Sequence, residues 1–181
     1  FLVIPNPVEI DKDFKRNENL EDRKVLFIGR IEERKNPLVI IKAIPYVVKK
    51  CPNVKFIFVG KENKEYKKKL DEIIEKFSLQ TYVEFYNFLS REELKQLYKK
   101  VSVIVIPSLS ESFGYTLVEA LSYGIPVVCS KIDVFEELVS NKSVLFADPY
   151  NEQQWAESIF KLLTDEKLRS ELSYNAKVEV E

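Results

Sequence analysis

A chain of 181 residues has room for one sizeable hydrophobic core and little more. Its 45% hydrophobic and 31% charged residues are the balance of an ordinary globular protein, and a net charge of -1 carries no basic field toward nucleic acid or an anionic membrane. Histidine is absent, which removes the commonest general base and the commonest neutral metal ligand.

Cys51 and Cys129 lie in apolar surroundings without metal or redox spacing, so both read as small buried hydrophobes of a reduced, cytoplasmic setting. No apolar run approaches the ~20 residues of a membrane span. The clusters Lys67-Lys68-Lys69 and Lys99-Lys100 read as solvated helix faces. The chain opens on Phe1, not Met, as a piece of a longer protein would.

Residues 1–23 read as a short apolar run, a Pro5-Asn6-Pro7 turn and a charged linker, with the core domain over 24–181. The first strand covers 24–29 and is apolar throughout, as a strand buried on both faces of a parallel sheet must be. A polar loop leads to a helix over 36–50, which Asn36 is expected to cap with Pro37 at its first position. Pro45 inside it predicts a kink. The second strand covers 54–60, an amphipathic helix 65–77, and a third, alternating strand 82–86. Ser90 and Glu93 form a capping box that opens a helix to residue 100. The fourth strand is 102–107. A loop, a helix stopped at Gly124 and a fifth strand over 126–129 follow. A short helix over 133–140, a sixth strand over 144–147 and two helices from 152 and 166 complete the chain. Strand and helix alternate with short connections, which predicts an α/β fold: a doubly wound parallel sheet of about six strands with helices on both faces.

In such a sheet, ligands bind beyond the carboxyl ends of the strands. The loop after the first strand carries Gly29, Arg30 and Lys35. The loop after the fourth carries Glu111, Ser112, Phe113 and Gly114 and runs into a helix through Tyr115, Thr116 and Glu119. Gly114 at a helix start would let an anion approach the free N–H groups of the first turn, where the helix dipole favours negative charge. With the Arg30 fork and the Lys35 point charge, the pattern suits a diphosphate. Glu111 lies before the helix, where a carboxylate is favoured in any case. Glu119, between Val118 and Ala120, needs partners, and ribose hydroxyls would serve. The same residues also read blandly, as an exposed basic loop, a packing glycine and a salt-bridged helix position. No His, Asp-x-Asp or Cys pair has metal-ligand spacing, and Glu-Ser-Phe-Gly is not a nucleophile elbow. The loop Gly-Arg-Ile-Glu-Glu-Arg-Lys lacks the glycines of a dinucleotide site.

Gly29-Arg30 with Lys35, Phe88-Leu-Ser-Arg-Glu-Glu-Leu, Pro107-Ser, and Glu111-Ser-Phe-Gly-Tyr-Thr-Leu-Val-Glu119-Ala resemble the group 1 glycosyltransferases, retaining enzymes of the GT-B fold with two Rossmann-like domains. The resemblance covers nearly the whole chain and matches the C-terminal, donor-binding domain. It implies that Arg30 and Lys35 neutralise the diphosphate of a nucleotide-sugar donor and that Glu111 meets hydroxyls of the transferred sugar. Glu119 would meet the ribose, backbone at Phe113, Gly114 and Tyr115 would line the phosphates and sugar, and Phe88-Leu89 would lie against the base. It also implies a hexosyl transfer that needs no cofactor or metal, and an acceptor glycan or lipid held by a missing N-terminal domain. The setting would be cytoplasmic, with peripheral membrane contact open to the full enzyme and little transfer by this domain alone. The loops at Gly60-Lys-Glu, Ser130-Lys-Ile-Asp-Val and Pro5-Asn6-Pro7 depart from the family's commoner glycine patterns, so the donor is not read from them. Two other readings stay open: a sugar-nucleotide epimerase of the same fold, and a non-catalytic nucleotide-binding domain.

Overall fold

The computed structural model describes Phe14 and residues 23–180, so the expected turn at Pro5-Asn6-Pro7 lies outside the described residues. Six strands form one parallel sheet: Lys24–Ile28 (β1), Lys55–Val59 (β2), Val83–Tyr86 (β3), Val103–Ile106 (β4), Val127–Ser130 (β5) and Leu145–Ala147 (β6). Their order is β3-β2-β1-β4-β5-β6, with every pairing parallel. β-Branched and aromatic side chains fill β1, β2, β4 and β5, and the central strands β4 and β5 are buried at every position. The outer strand β3 alternates half-buried and exposed residues, as a strand with one covered face should. Register places Phe27, Phe58 and Phe85 side by side on β1, β2 and β3, with ring centroids 5.6 and 4.9 Å apart.

The helices are Pro37–Val48 (α1), Lys64–Lys76 (α2), Arg91–Tyr98 (α3), Tyr115–Ser122 (α4), Asp133–Leu138 (α5), Glu152–Thr164 (α6) and Glu166–Val180 (α7), with a 3₁₀ turn at Glu33–Lys35. α1, α2 and α6 bury Ile40, Ile44, Leu70, Trp155 and Ile159 on one face of the sheet. α3, α4 and α5 bury Tyr98, Leu117, Leu121 and Phe135 on the other. α7 reaches both layers, through Leu172 on the first and Ala176 on the second. Cys51 and Cys129 are fully buried and unpaired, as expected of small core hydrophobes. Burial pushes the Cys129 thiol well above its ordinary pKa.

Local chemistry sets the helix ends. Ser90 and Glu93 make both halves of the predicted capping box on α3, with Ser90 N–H donating to Glu93 Oε2 at 2.8 Å. α4 stops in a Schellman arrangement, where Gly124 N–H reaches Leu121 O at 2.8 Å and Ile125 N–H reaches Ala120 O at 3.0 Å. One expected cap is absent. Asn36 sits in the left-handed region (φ 50°) and its side chain makes no cap bond to α1. Its amide Nδ2 donates instead to Pro149 O at 2.8 Å, tying the start of α1 to the loop after β6. Pro45 does not end α1, which continues to Val48.

The loops after β1 and β2 run side by side beyond the sheet, and Gly60 is what allows it. A Cβ on Gly60 would stand 2.0 Å from Gly29 O and 2.6 Å from Gly29 C, both backbone atoms, at a φ of +151°. Gly29 N–H donates to Val59 O, Ile31 N–H to Lys61 O and Asn63 N–H to Ile31 O, which continues the β1–β2 pairing past the strand ends. Gly60→Ala therefore forces these backbones apart and should cost about 2–4 kcal/mol. A urea denaturation midpoint equal to that of the parent chain would contradict this close approach.

Candidate functional site

The strand order turns at β1, whose neighbours β2 and β4 lead the chain away in opposite directions. The carboxyl ends of β1 and β4 thus bound the crevice that a doubly wound sheet offers to ligands. Two loops line it, residues 29–36 after β1 and residues 107–114 after β4. They are joined by backbone, since Leu109 N–H donates to Arg34 O at 2.8 Å, and by charge.

The charged contact is the centre of the site. Lys35 Nζ donates to Glu111 Oε1, with the two side chains only 18% and 10% exposed. Ser108, almost fully buried, donates its hydroxyl to the same Oε1 at 2.7 Å. Arg34 Nη1 lies 3.6 Å from Glu111 Oε2 and donates to Ser110 O at 3.1 Å. A carboxylate this far from water is tolerable because a cation and a hydroxyl meet it.

Arg30 stands apart from this contact. Its side chain is 66% exposed and lies 3.6 Å from Glu32 Oε2, while Glu32 Oε1 lies 3.6 Å from Arg34 Nε. The charges thus alternate along one string, Arg30, Glu32, Arg34, Glu111, Lys35, with cations in excess. Lys35 and Glu111 are brought into direct contact, whereas among the described residues Arg30 is linked to them through Glu32 and Arg34. Arg34 was given no role from the sequence, and Ser108 entered only as part of the Pro107-Ser motif. Ser108 could have been found as the hydroxyl three positions before Glu111 in Pro-Ser-Leu-Ser-Glu, and Arg34 as the neighbour of Lys35.

α4 begins where the second loop ends. Its first-turn N–H groups, at Tyr115 and Thr116, have no acceptor within the helix, and the dipole makes this end favourable for an anion. Gly114 takes a φ of +94°, and a Cβ there would stand 2.9 Å from Phe135 Cε1. The missing side chain therefore makes room for α5 against the start of α4, and opening the N–H groups to an anion is not what it visibly does. Ser112 and Tyr115 are exposed, Phe113 and Thr116 half-buried, and the Phe113 and Tyr115 rings meet edge to face at 5.0 Å. Phe88, at 81% exposure, and the half-buried Leu89 stand at the other end of the edge, before α3. Gly29 and Gly60 serve the backbone approach already described.

Glu119 lies one turn into α4 and does have a protein partner. Tyr98 Oη, at the end of α3, donates to Glu119 Oε2 at 2.9 Å. Sequence reading missed Tyr98, and nothing near it in the chain points 21 residues ahead to a carboxylate. Among the described residues, no group of three or more His, Cys, Asp or Glu is placed to hold a metal ion.

Residues 8–179 match the family described as glycosyl transferases group 1. An uncharacterized glycosyltransferase of Methanocaldococcus jannaschii is 29% identical over 93% of this chain and 43% of its own length. A D-inositol 3-phosphate glycosyltransferase of Corynebacterium urealyticum is 30% identical over 83% of this chain and 37% of its own length, so the chain spans less than half of these relatives. Among solved structures, Anabaena HepE in complex with UDP and glucose superposes with a TM-score of 0.80 at 25% identity, over 88% of this chain and 44% of that one. The C-terminal domain of LpcC, a group 1 protein from Francisella tularensis, shares the fold along nearly its full length, with a TM-score of 0.82 at 23% identity over 92% of this chain and 93% of that one. With the family match running through almost every residue and the fold of its C-terminal domains reproduced, this chain belongs to the group 1 glycosyltransferases.

Proposed function

We propose that this chain is the donor-binding domain of a retaining glycosyltransferase that moves a hexose-type sugar from a nucleoside diphosphate to an acceptor glycan, lipid or small molecule. The observation that carries this reading is the Lys35–Glu111 contact across the β1/β4 crevice, beside the N-terminus of α4. A cation, a carboxylate and the free backbone N–H groups of a helix start thus lie along one edge, which supports a sugar diphosphate as the ligand. HepE, which has the same fold at 25% identity, is described with UDP and glucose, and this supports a nucleotide donor here.

In this reading the donor diphosphate lies between the α4 N-terminus and Lys35, with Arg30 and Arg34 swinging in from the exposed side. Negative charge grows on the diphosphate as the glycosidic bond breaks, and preorganised positive groups lower that barrier most. Protein groups supply this charge, so no metal is drawn into the scheme. Glu111 accepts from hydroxyls of the transferred sugar, and Lys35, already its partner, holds it in place. Glu119 accepts from the ribose, the backbone at Phe113, Gly114 and Tyr115 follows the phosphates and sugar, and Phe88 and Leu89 flank the base. The acceptor belongs to another domain of the longer protein. No helix among the described residues is long and apolar enough to cross a membrane. A cytoplasmic setting, with the full enzyme touching the inner membrane face, fits the reading.

Calorimetric titration of the chain with UDP-, GDP- and ADP-sugars should show binding to at least one of them, with little sugar transfer. A folded chain that binds none at millimolar concentration would sink the proposal. Lys35→Ala should weaken nucleoside diphosphate binding about 10-fold or more and leave nucleoside binding nearly unchanged, and Arg30→Ala should do the same more weakly because its side chain is exposed. Equal losses for nucleoside and diphosphate would contradict the assigned roles.

A further inference from the structure

Glu119 and Tyr98 form a hydrogen-bonded unit between α4 and the end of α3. Tyr98 is 1% exposed, its ring packed against Tyr123 at 5.2 Å, and Tyr123 in turn meets Phe14 at 4.3 Å. The ring is held by aromatic contacts, so its hydroxyl has a fixed position. Burial first, and then the Glu119 charge, push the phenol pKa far up, so the hydroxyl stays protonated and donates to Glu119 Oε2. Glutamate is a long side chain with several rotamers, and a half-buried one with a single fixed donor on one oxygen is held in a narrow range of orientations. Tyr98 meets Oε2, and Oε1 is the second acceptor of the same oriented carboxylate, the atom that vicinal hydroxyls would meet.

We infer that Tyr98 is a positioning residue: its hydroxyl holds the Glu119 carboxylate by Oε2 so that Oε1 is ready for the ribose hydroxyls of a nucleotide donor. This rests on the ribose role proposed for Glu119 and adds the residue that makes that role selective. A tyrosine that merely satisfied a buried carboxylate would affect stability. A positioning tyrosine also affects the preference for ribose over a sugar without those hydroxyls.

The test titrates this chain with UDP, GDP and ADP and with the dideoxy counterpart of whichever binds, which lacks both ribose hydroxyls. The parent chain should favour the ribose form. Glu119→Ala should remove that preference. Tyr98→Phe should weaken the ribose form about 3- to 10-fold while changing the dideoxy form less than about twofold. A preference kept by Tyr98→Phe and lost by Glu119→Ala would overturn the positioning role and leave the ribose role standing. A preference kept by Glu119→Ala would overturn both. Should Tyr98→Phe fail to fold, para-fluorophenylalanine at this position fills the hydroxyl's volume without donating and must give the same loss. A para-amino analogue, which donates, must restore the preference, and failure to do so counts against the inference.

Discussion

The contact between Lys35 and Glu111 is the constraint on which the crevice depends. Its partners stand 76 residues apart and follow different strands, so only the parallel pairing of β1 with β4 brings them together. A lysine and a glutamate this little exposed would each be costly alone. Together, and with Ser108 on the same oxygen, they allow one cation and one carboxylate to be stored at the carboxyl edge of the sheet. The pair also sets the relation of the two loops, since the Leu109–Arg34 backbone bond lies beside it. A ligand with both anionic and hydroxyl groups matches what the two side chains offer.

Around that contact, close backbone packing positions the remaining parts. Gly60 lets the loop after β2 lie against the backbone of Gly29, which fixes where the loop bearing Arg30 and Lys35 leaves the sheet. Gly114 does the corresponding work for the second loop by admitting the Phe135 ring against the start of α4. In both places the residue next to the chemistry is small because another part of the protein occupies the space. The N–H groups of α4 are aimed by that packing as much as by the helix itself.

The two glutamates of the signature stretch are the same residue type in different surroundings. Glu111 is neutralised by a cation and faces the loops, whereas Glu119 is held by a neutral phenol donor on the covered side of α4. A carboxylate paired with lysine has most of its charge already met. One bonded to a neutral phenol keeps its full charge. Environment thereby sets two carboxylates of one stretch apart electrostatically.

Burial on two faces, the 3.6-residue period and capping chemistry are recorded locally, and the order of elements, the parallel sheet and most helix ends were legible from them. The E-x7-E stretch and the Gly-Arg-x4-Lys loop were legible as well, because each is a short pattern. Other features were settled only by the folded chain. Asn36, the apparent cap of α1, bonds to Pro149, which lies 113 residues away, and the apparent grip of Arg30 beside Lys35 becomes a string running through Glu32 and Arg34. Tyr98 reads as one more apolar position at the end of an amphipathic helix until α3 is set against α4. Local periodicity tells which face of an element is buried, and so the sequence by itself determined the elements, the parallel sheet with helices on both faces, and which loops gather at its carboxyl edge. Which polar atoms meet across that edge depends on side-chain reach between segments distant in the chain, which leaves no periodic trace, and only the tertiary structure decided it.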